Sequence, residues 1–230
     1  MKEEGLNNIA LIGSSHASHL FYGLSKVYKN NSENSIALLP MGTQSPFINL
    51  RVNKEGRTTW YSRIIDAYEY VLNHDNIKTV VLSDLNYFFS DVENPNEKDL
   101  YKIIKNGARR SFKRLKEKNV LVILDNPWLP FEPTLCYPRP FKFIKDKCYF
   151  LYSDSVNYNL AKQHKQAILE VAKEYSNVRV FDLKNLFCKE NFCTIKFKGN
   201  NLYSDFFHLS PIGSTYVAPS IAEQISLFAK

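Results

Sequence analysis

The chain has 230 residues, of which 44% are hydrophobic, 14% aromatic and 23% charged; that balance excludes a disordered polymer and supplies enough apolar material for one well-sized core. No stretch approaches the roughly 18–20 apolar residues that cross a bilayer, so the polypeptide is expected not to span a membrane by itself. Thirty Lys plus Arg against 23 Asp plus Glu give a formal charge of +7, which favours anionic surroundings such as acidic glycans or phosphorylated lipid head groups and permits nucleic acid.

IALIG at 9–13 is short, β-branched and apolar, and it ends in Gly, as a buried strand does. A helix is predicted over 17–29, with Leu20, Leu24 and Val27 along one side. SIALLP at 35–40 reads as the second strand, closed by Pro40. Residues 60–74 place Trp60, Ile64, Ala67, Tyr68 and Val71 at helical spacing, and KTVVLSDL at 78–85 is the third strand. After a break between Asp84 and Asn96, a long helix is predicted near 97–118 and an almost wholly apolar strand, VLVILD, at 120–125. Residues 126–156 are a proline-rich excursion, followed by a helix at 158–176, a strand at 178–182, a loop to 211 and a last helix at 212–228. Five apolar strands alternating with helices predict a single α/β domain: a three-layer α/β/α sandwich around a mostly parallel five-stranded sheet. Such a sheet gathers the carboxyl ends of its strands at one edge, where ligands bind.

The densest basic run, Arg109, Arg110, Lys113, Arg114 and Lys116, falls on the predicted third helix beside Phe112 and Leu115. No zinc-finger, RNA-binding-strand or basic-zipper pattern accompanies it, so a solvated helix face is the stronger reading and no nucleic acid partner is expected. The four cysteines suggest two local pairs, Cys136 with Cys148 and Cys188 with Cys193. Four cysteines allow three connectivities, and free thiols stay open as an alternative. Metal-ligand spacing is absent and no metal is expected. Disulfides would place the domain outside the cytoplasm. Because the opening MKEEGLNN lacks an apolar export segment, an exported domain is expected to be a fragment of a longer protein or to follow a targeting region.

Two segments carry chemistry. In IALIGSSHASHL, Gly13, Ser14, Ser15 and His16 stand at the turn from the first strand into the first helix. Backbone N–H groups and the helix dipole there suit developing negative charge, so a serine hydroxyl can attack a carbonyl while its own N–H helps hold the oxyanion. The competing reading is that Ser14 or Ser15 caps the helix. In SDFFHLSPIG, Asp205 and His208 lie three residues apart before the last helix; a D-x-x-H turn can present a base and the carboxylate that fixes its tautomer from one loop. Neither G-x-x-x-x-G-K-[ST] nor G-x-G-x-x-G occurs, so no nucleotide site and no cofactor are expected. His16 and His19 are expected to pack or cap the helix.

The two end blocks, G-S-S-H and D-x-x-H-L-S, resemble the SGNH (GDSL-type) hydrolase superfamily, and most closely its branch appended to bacterial membrane acyltransferases. IALIGSSHA is similar to that branch's strand followed by G-D-S-H-A, with Ser14 in place of Asp. DFFHLSPIG matches D-x-x-H-L-S/T-x-x-G at Asp205, His208, Leu209, Ser210 and Gly213, and Cys188 and Cys193 occupy the place of its short cysteine-closed loop. The resemblance implies a flavodoxin-like fold, Ser15 as nucleophile, His208 as general base and Asp205 as its orienting acid. It implies oxyanion donors at Ser15, at Gly42 after the second strand, and at Asn86 after the third. Tyr87, Phe88 and Phe89 are expected either along an acyl pocket or packed into the core or its cover, and Trp128, Phe131 and Arg139 over a polymeric substrate.

The implied activity is O-acetyl transfer to hydroxyls of a cell-envelope polysaccharide through an acyl-serine, beside a membrane acyltransferase domain on the periplasmic or extracellular side. The partners expected are the polysaccharide acceptor and an acetyl donor. A carbohydrate acetylesterase and a catalytically weak glycan-binding module are the alternatives, since the same serine, histidine and aspartate serve water as readily as a sugar hydroxyl.

Overall fold

A computed structural model describes residues 8–29, 31, 33–52, 61–85, 88–137 and 148–228. The central sheet has five strands, β1 (Ile9–Gly13), β2 (Ile36–Pro40), β3 (Thr79–Ser83), β4 (Asn119–Leu124) and β5 (Val178–Asp182). Their spatial order is β2-β1-β3-β4-β5, and every neighbouring pair is parallel. The sheet expected to be mostly parallel is therefore wholly so, in the flavodoxin-like order. Main helices α1 (Ser15–Tyr28), α2 (Tyr61–Asn73), α3 (Leu100–Arg114), α4 (Tyr158–Ala172) and α5 (Pro211–Ser226) connect or follow the strands. The predicted helices all form, with ends displaced by a few residues; Ser15 itself opens α1.

Alternation along the strands builds the three layers. Ala10 and Ile12 of β1, with Val80, Leu82, Val120 and Val122, face a core closed by Ile64, Tyr68 and Val71 of α2, Ile104 and Phe112 of α3, and Ile168 of α4. Ile9 and Leu11, with Val81, Leu121 and Ile123, face the other way, onto Leu20 and Leu24 of α1 and Val217 and Ile221 of α5. Strands buried on both faces need apolar residues at every position, which is why β1 and β3 read as continuous runs. Val27 departs from expectation: it is 39% exposed, because α1 turns Ala17, Leu20, Leu24 and Tyr28 inward instead. Trp60 and Arg139 lie outside the described residues.

The packing of α1 against α5 matters most for function, since each helix starts beside one of the chemical segments. Gly23 sits at their contact, where a Cβ would overlap the Ser214 carbonyl. Its N–H donates instead to Ser214 Oγ at 2.7 Å, so the absent side chain sets the interhelix distance.

Both cysteine pairs are joined, Cys136 to Cys148 and Cys188 to Cys193. The second closes a hairpin of Cys188–Lys189 and Phe192–Thr194, on which the strand Tyr149–Leu151 adds a third member. The region expected to be loop before α5 thus contains this sheet, a one-turn helix at Lys184–Phe187 and a second hairpin, Lys196–Phe197 with Asn200–Asn201. The basic run on α3 is a paired surface: Arg109 meets Glu174, Arg110 meets Asp91 and Glu93, and Arg114 meets Glu69.

Candidate active site

The strand register brings Gly13, Pro40, Ser83 and Ile123 level at one edge of the sheet, with Leu124 facing Asp182. Order reverses around β1, so the crevice beyond its carboxyl end lies where the chain leaves to opposite faces. Ser14 is fully buried there; its backbone is extended at the N-cap of α1, and its Oγ accepts the His16 N–H at 3.3 Å. A cap needs a short side chain with an acceptor oxygen, which Ser provides as Asp does. Ser14 therefore does the capping, and Ser15, one residue on, is left to face the site.

The Asp205–His208 turn supplies its partner. Asp205 Oδ1 accepts the backbone N–H of Phe207 at 2.9 Å and of His208 at 2.7 Å, which folds the loop back on itself. Asp205 Oδ2 lies 2.7 Å from His208 Nδ1, and His208 Nε2 lies 2.8 Å from Ser15 Oγ. A carboxylate only accepts, so Nδ1 carries the proton and Nε2 offers its lone pair to the serine hydroxyl. Burial works to raise the Asp205 pKa, but the two backbone N–H groups and the His208 ring outweigh it and hold the carboxyl below its ordinary range. Ser15, His208 and Asp205 are thus brought together in the order expected of them, across 193 residues of sequence separation.

Behind this chain lies a second imidazole–carboxylate pair, formed by His16, which is expected from sequence to pack or cap the helix, and Asp125. His16 Nδ1 donates to Asp125 Oδ1 at 2.6 Å, with side chains 2% and 0% exposed. Trp128 Nε1–H donates to Asp125 Oδ2 at 2.8 Å. Removing one partner leaves the other's buried polar group unsatisfied, at a cost of about 1–3 kcal/mol. The His16 ring sits 5.2 Å from that of His208 and stacks at 6.0 Å on Phe207, against which Trp128 also packs. His19 accepts the Leu209 N–H through Nδ1 at 3.2 Å, tying the residue after His208 to α1. Burial, then the neighbouring His16 and His208, hold the His19 pKa well below the usual imidazole range, so it accepts this bond as a neutral ring.

Asp125 escaped the sequence reading. Its one signal was position, as the acid that follows the last β4 residue; its partner stands 109 residues away. Trp128, expected over a substrate, is half-buried and braces Asp125 and Phe207. Of the two readings for Phe89 the core one holds: it is 3% exposed, within the core beneath α3 and α4, while Phe88 is 57% exposed. Phe131 packs edge-on against Phe150. Asn86, Tyr87 and Arg139 fall outside the described residues.

Gly42 lies in the loop after β2 with φ +66°, a left-handed conformation that favours glycine. The Met41 N–H donates to the Gly13 carbonyl at 2.7 Å and draws this loop alongside the Ser14–Ser15 turn. Asp84, just beyond β3, accepts from the Leu85 N–H at 2.8 Å through Oδ1, while its buried Oδ2 has no partner among the described residues. Burial drives its pKa well above the carboxylate range, opposed by bonds from Ser45 and Leu85 and assisted by Asp125. Among the described residues, no three His, Cys, Asp or Glu side chains are grouped to hold a metal. None of the helices of the described residues is long and apolar enough to cross a membrane.

Comparison with known proteins places these features. The family model described as "SGNH domain (fused to AT3 domains)" matches residues 2–223. The periplasmic domain of a lipopolysaccharide acetyltransferase from Salmonella ser. Paratyphi A superposes with a TM-score of 0.73 at 18% identity, over 97% of this chain and 85% of that one. A carbohydrate acetylesterase from Sinorhizobium meliloti gives 0.59 at 11% identity, over 97% and 100%. An aryl esterase from M. Smegmatis gives 0.54 at 11%, over 96% and 98%. At these identities the likeness is one of fold. No curated protein matches by sequence.

Proposed function

Because this chain belongs to the family of SGNH domains fused to AT3 domains, we propose that it is a serine O-acyltransferase that moves an acetyl group onto a hydroxyl of a cell-envelope polysaccharide. The observation that carries the reading is the continuous chain from Asp205 Oδ2 through His208 to Ser15 Oγ, at 2.7 and 2.8 Å. His208 Nε2 takes the Ser15 proton as Oγ attacks the acyl carbonyl, and Asp205 stabilises the imidazolium that forms. The N–H groups of Ser15 and Gly42, with Asn86 as a third donor, hold the tetrahedral oxyanion; one such donor is worth about 10²–10³ in kcat. The leaving group departs with the proton from His208. A sugar hydroxyl then loses its proton to the same nitrogen and attacks the acyl-serine, which restores Ser15.

The expected setting is extracytoplasmic, beside a membrane acyltransferase domain that delivers the acyl group. The two disulfides fit an oxidising compartment. Transfer is favoured over hydrolysis by the family, whose members are fused to AT3 domains. Treatment with a fluorophosphonate followed by intact-mass measurement tests the nucleophile: one adduct is expected on the native chain and none on Ser15→Ala. Labelling that survives the substitution overturns the assignment. Release of free acetate with no acetylated sugar, in the presence of the true acceptor, would make the protein an esterase instead.

A further inference from the structure

A cleft of about 450 Å³ runs between α1, the start of α5 and the Lys196–Asn201 hairpin. Tyr22, Lys26, Phe197, Lys198, Ile212 and Tyr216 are the lining residues that matter, and none of the described lining residues is acidic. Tyr22 and Lys26 follow Ser15 by two and three turns, so they share its face of α1 at about 10 and 16 Å along the axis. Pro211 and Ile212, which also line the cleft, follow His208 by three and four residues at the start of α5. The cleft is thus built on the two helices whose first residues stand beside Ser15 and His208.

Its surface chemistry is unusual for a solvent face. Tyr22, Phe197 and Ile212 are 44%, 41% and 45% exposed, a cluster of large apolar groups on one wall where isolated ones would need no explanation. Phe197 and Tyr216 lie with ring centroids 4.6 Å apart. Lys26 Nζ stands 4.1 Å over the Tyr22 ring, and Lys198 Nζ 5.4 Å from the Phe197 ring. Arg109, Arg110, Arg114, Lys105 and Lys165 are all held by carboxylates. Lys26 and Lys198 have only these rings among the described residues. Lys198 moreover occupies a left-handed position, φ +49°, in a hairpin turn where Gly or Asn is the easier residue.

We propose that this cleft seats the acceptor, and that the acceptor is an anionic sugar chain: its ring faces stack on Tyr22, Phe197 and Tyr216 while its carboxylates meet Lys26 and Lys198. The proposal rests on the acyl-transfer reading of Ser15 only for the word acceptor; the binding itself is separate. Aromatic faces recognise the apolar faces of sugar rings, and exposed cations beside them select a charged chain over a neutral one.

The test uses a galacturonate pentamer as probe, maltopentaose as the neutral chain of equal length, and titration calorimetry. The native protein is expected to bind the galacturonate pentamer about tenfold more tightly than maltopentaose, and Lys26→Glu with Lys198→Glu to weaken it by about tenfold. Tyr22→Ala is expected to weaken both oligosaccharides about fivefold. Thermal melts of the variants should stay close to the native chain's, so that a loss of binding is read on a folded protein. No binding of the galacturonate pentamer, equal binding of the two pentamers, or an undiminished affinity in the charge-reversed variant overturns the proposal. So does capture of phosphatidylglycerol vesicles through the same two lysines with no oligosaccharide binding. Ester turnover that is absent from every form, with cleft-dependent sugar binding intact, would sink the acyl-transfer reading and leave this one standing.

Discussion

The two edges of the sheet differ in a way that size alone would misjudge. At the amino-terminal edge a cleft of about 630 Å³ opens beside Asn8, Tyr28, Asn31, Lys78 and Thr79. At the carboxyl edge Ser15, His16, Asp125, Trp128, Asp205 and His208 join in hydrogen-bonded pairs drawn from the two ends and the middle of the chain. Volume measures only what can enter. Chemistry needs groups whose orientation is already set by their neighbours, so that no reorganisation remains when charge develops.

The largest test of that contrast is Ser15→Ala, expected to lower turnover of a chromogenic acetyl ester by about 10⁵–10⁶. Ser226→Ala, at the amino-terminal cleft, should leave the same rate unchanged. Next comes Asp205→Asn. It takes away the acceptor that fixes the His208 tautomer and should cost about 10⁴ in kcat, with little change in KM. A loss below tenfold would mean that the Asp205 geometry is incidental.

Gly23→Ala should act at a distance from both edges. Its Cβ must displace the Ser214 carbonyl, which costs about 1–3 kcal/mol of stability by denaturant titration. Because α1 carries Ser15 and α5 follows His208, activity should fall as well, even where the variant remains folded. An active variant of native stability would show that the two helices are not the frame of the site.

Asp84→Asn is the gentlest change. The folded carboxyl is held protonated well above its ordinary range, whereas the unfolded one ionises near about 3.9. Between those values the unfolded chain binds fewer protons, so native stability falls as pH rises through that window and levels off above the folded value. The amide removes this slope: thermal melts should match the native protein's near pH 4 and exceed it by a few degrees at neutral pH. Parallel melting curves across that range would contradict the protonated state of Asp84.

How much of this was legible varied with the range of the interaction. The strands showed because burial on both faces demands apolar residues at every position. Asp205 and His208 showed because three residues suffice to close their turn. The roles of His16 and Asp125 did not, and His16 read as a packing residue, since no local pattern marks a bond across the sheet. Val27 misled for a related reason: helical spacing says which residues share a face, but only the neighbours of α1 decide which face is inward. Phe89 likewise reads as pocket or core until the α3–α4 layer is in place.

Pattern and spacing along the chain indicated the main strands and helices, two local cysteine pairs and the candidate serine, histidine and aspartate, because each depends on the backbone period or on a few adjacent residues. The strand order, the inward side of each helix, the brace formed by His16, Asp125 and Trp128, and the lysine-flanked cleft beside α1 were decided by tertiary structure. Their energies come from surfaces and side chains that meet only when distant segments are packed against one another.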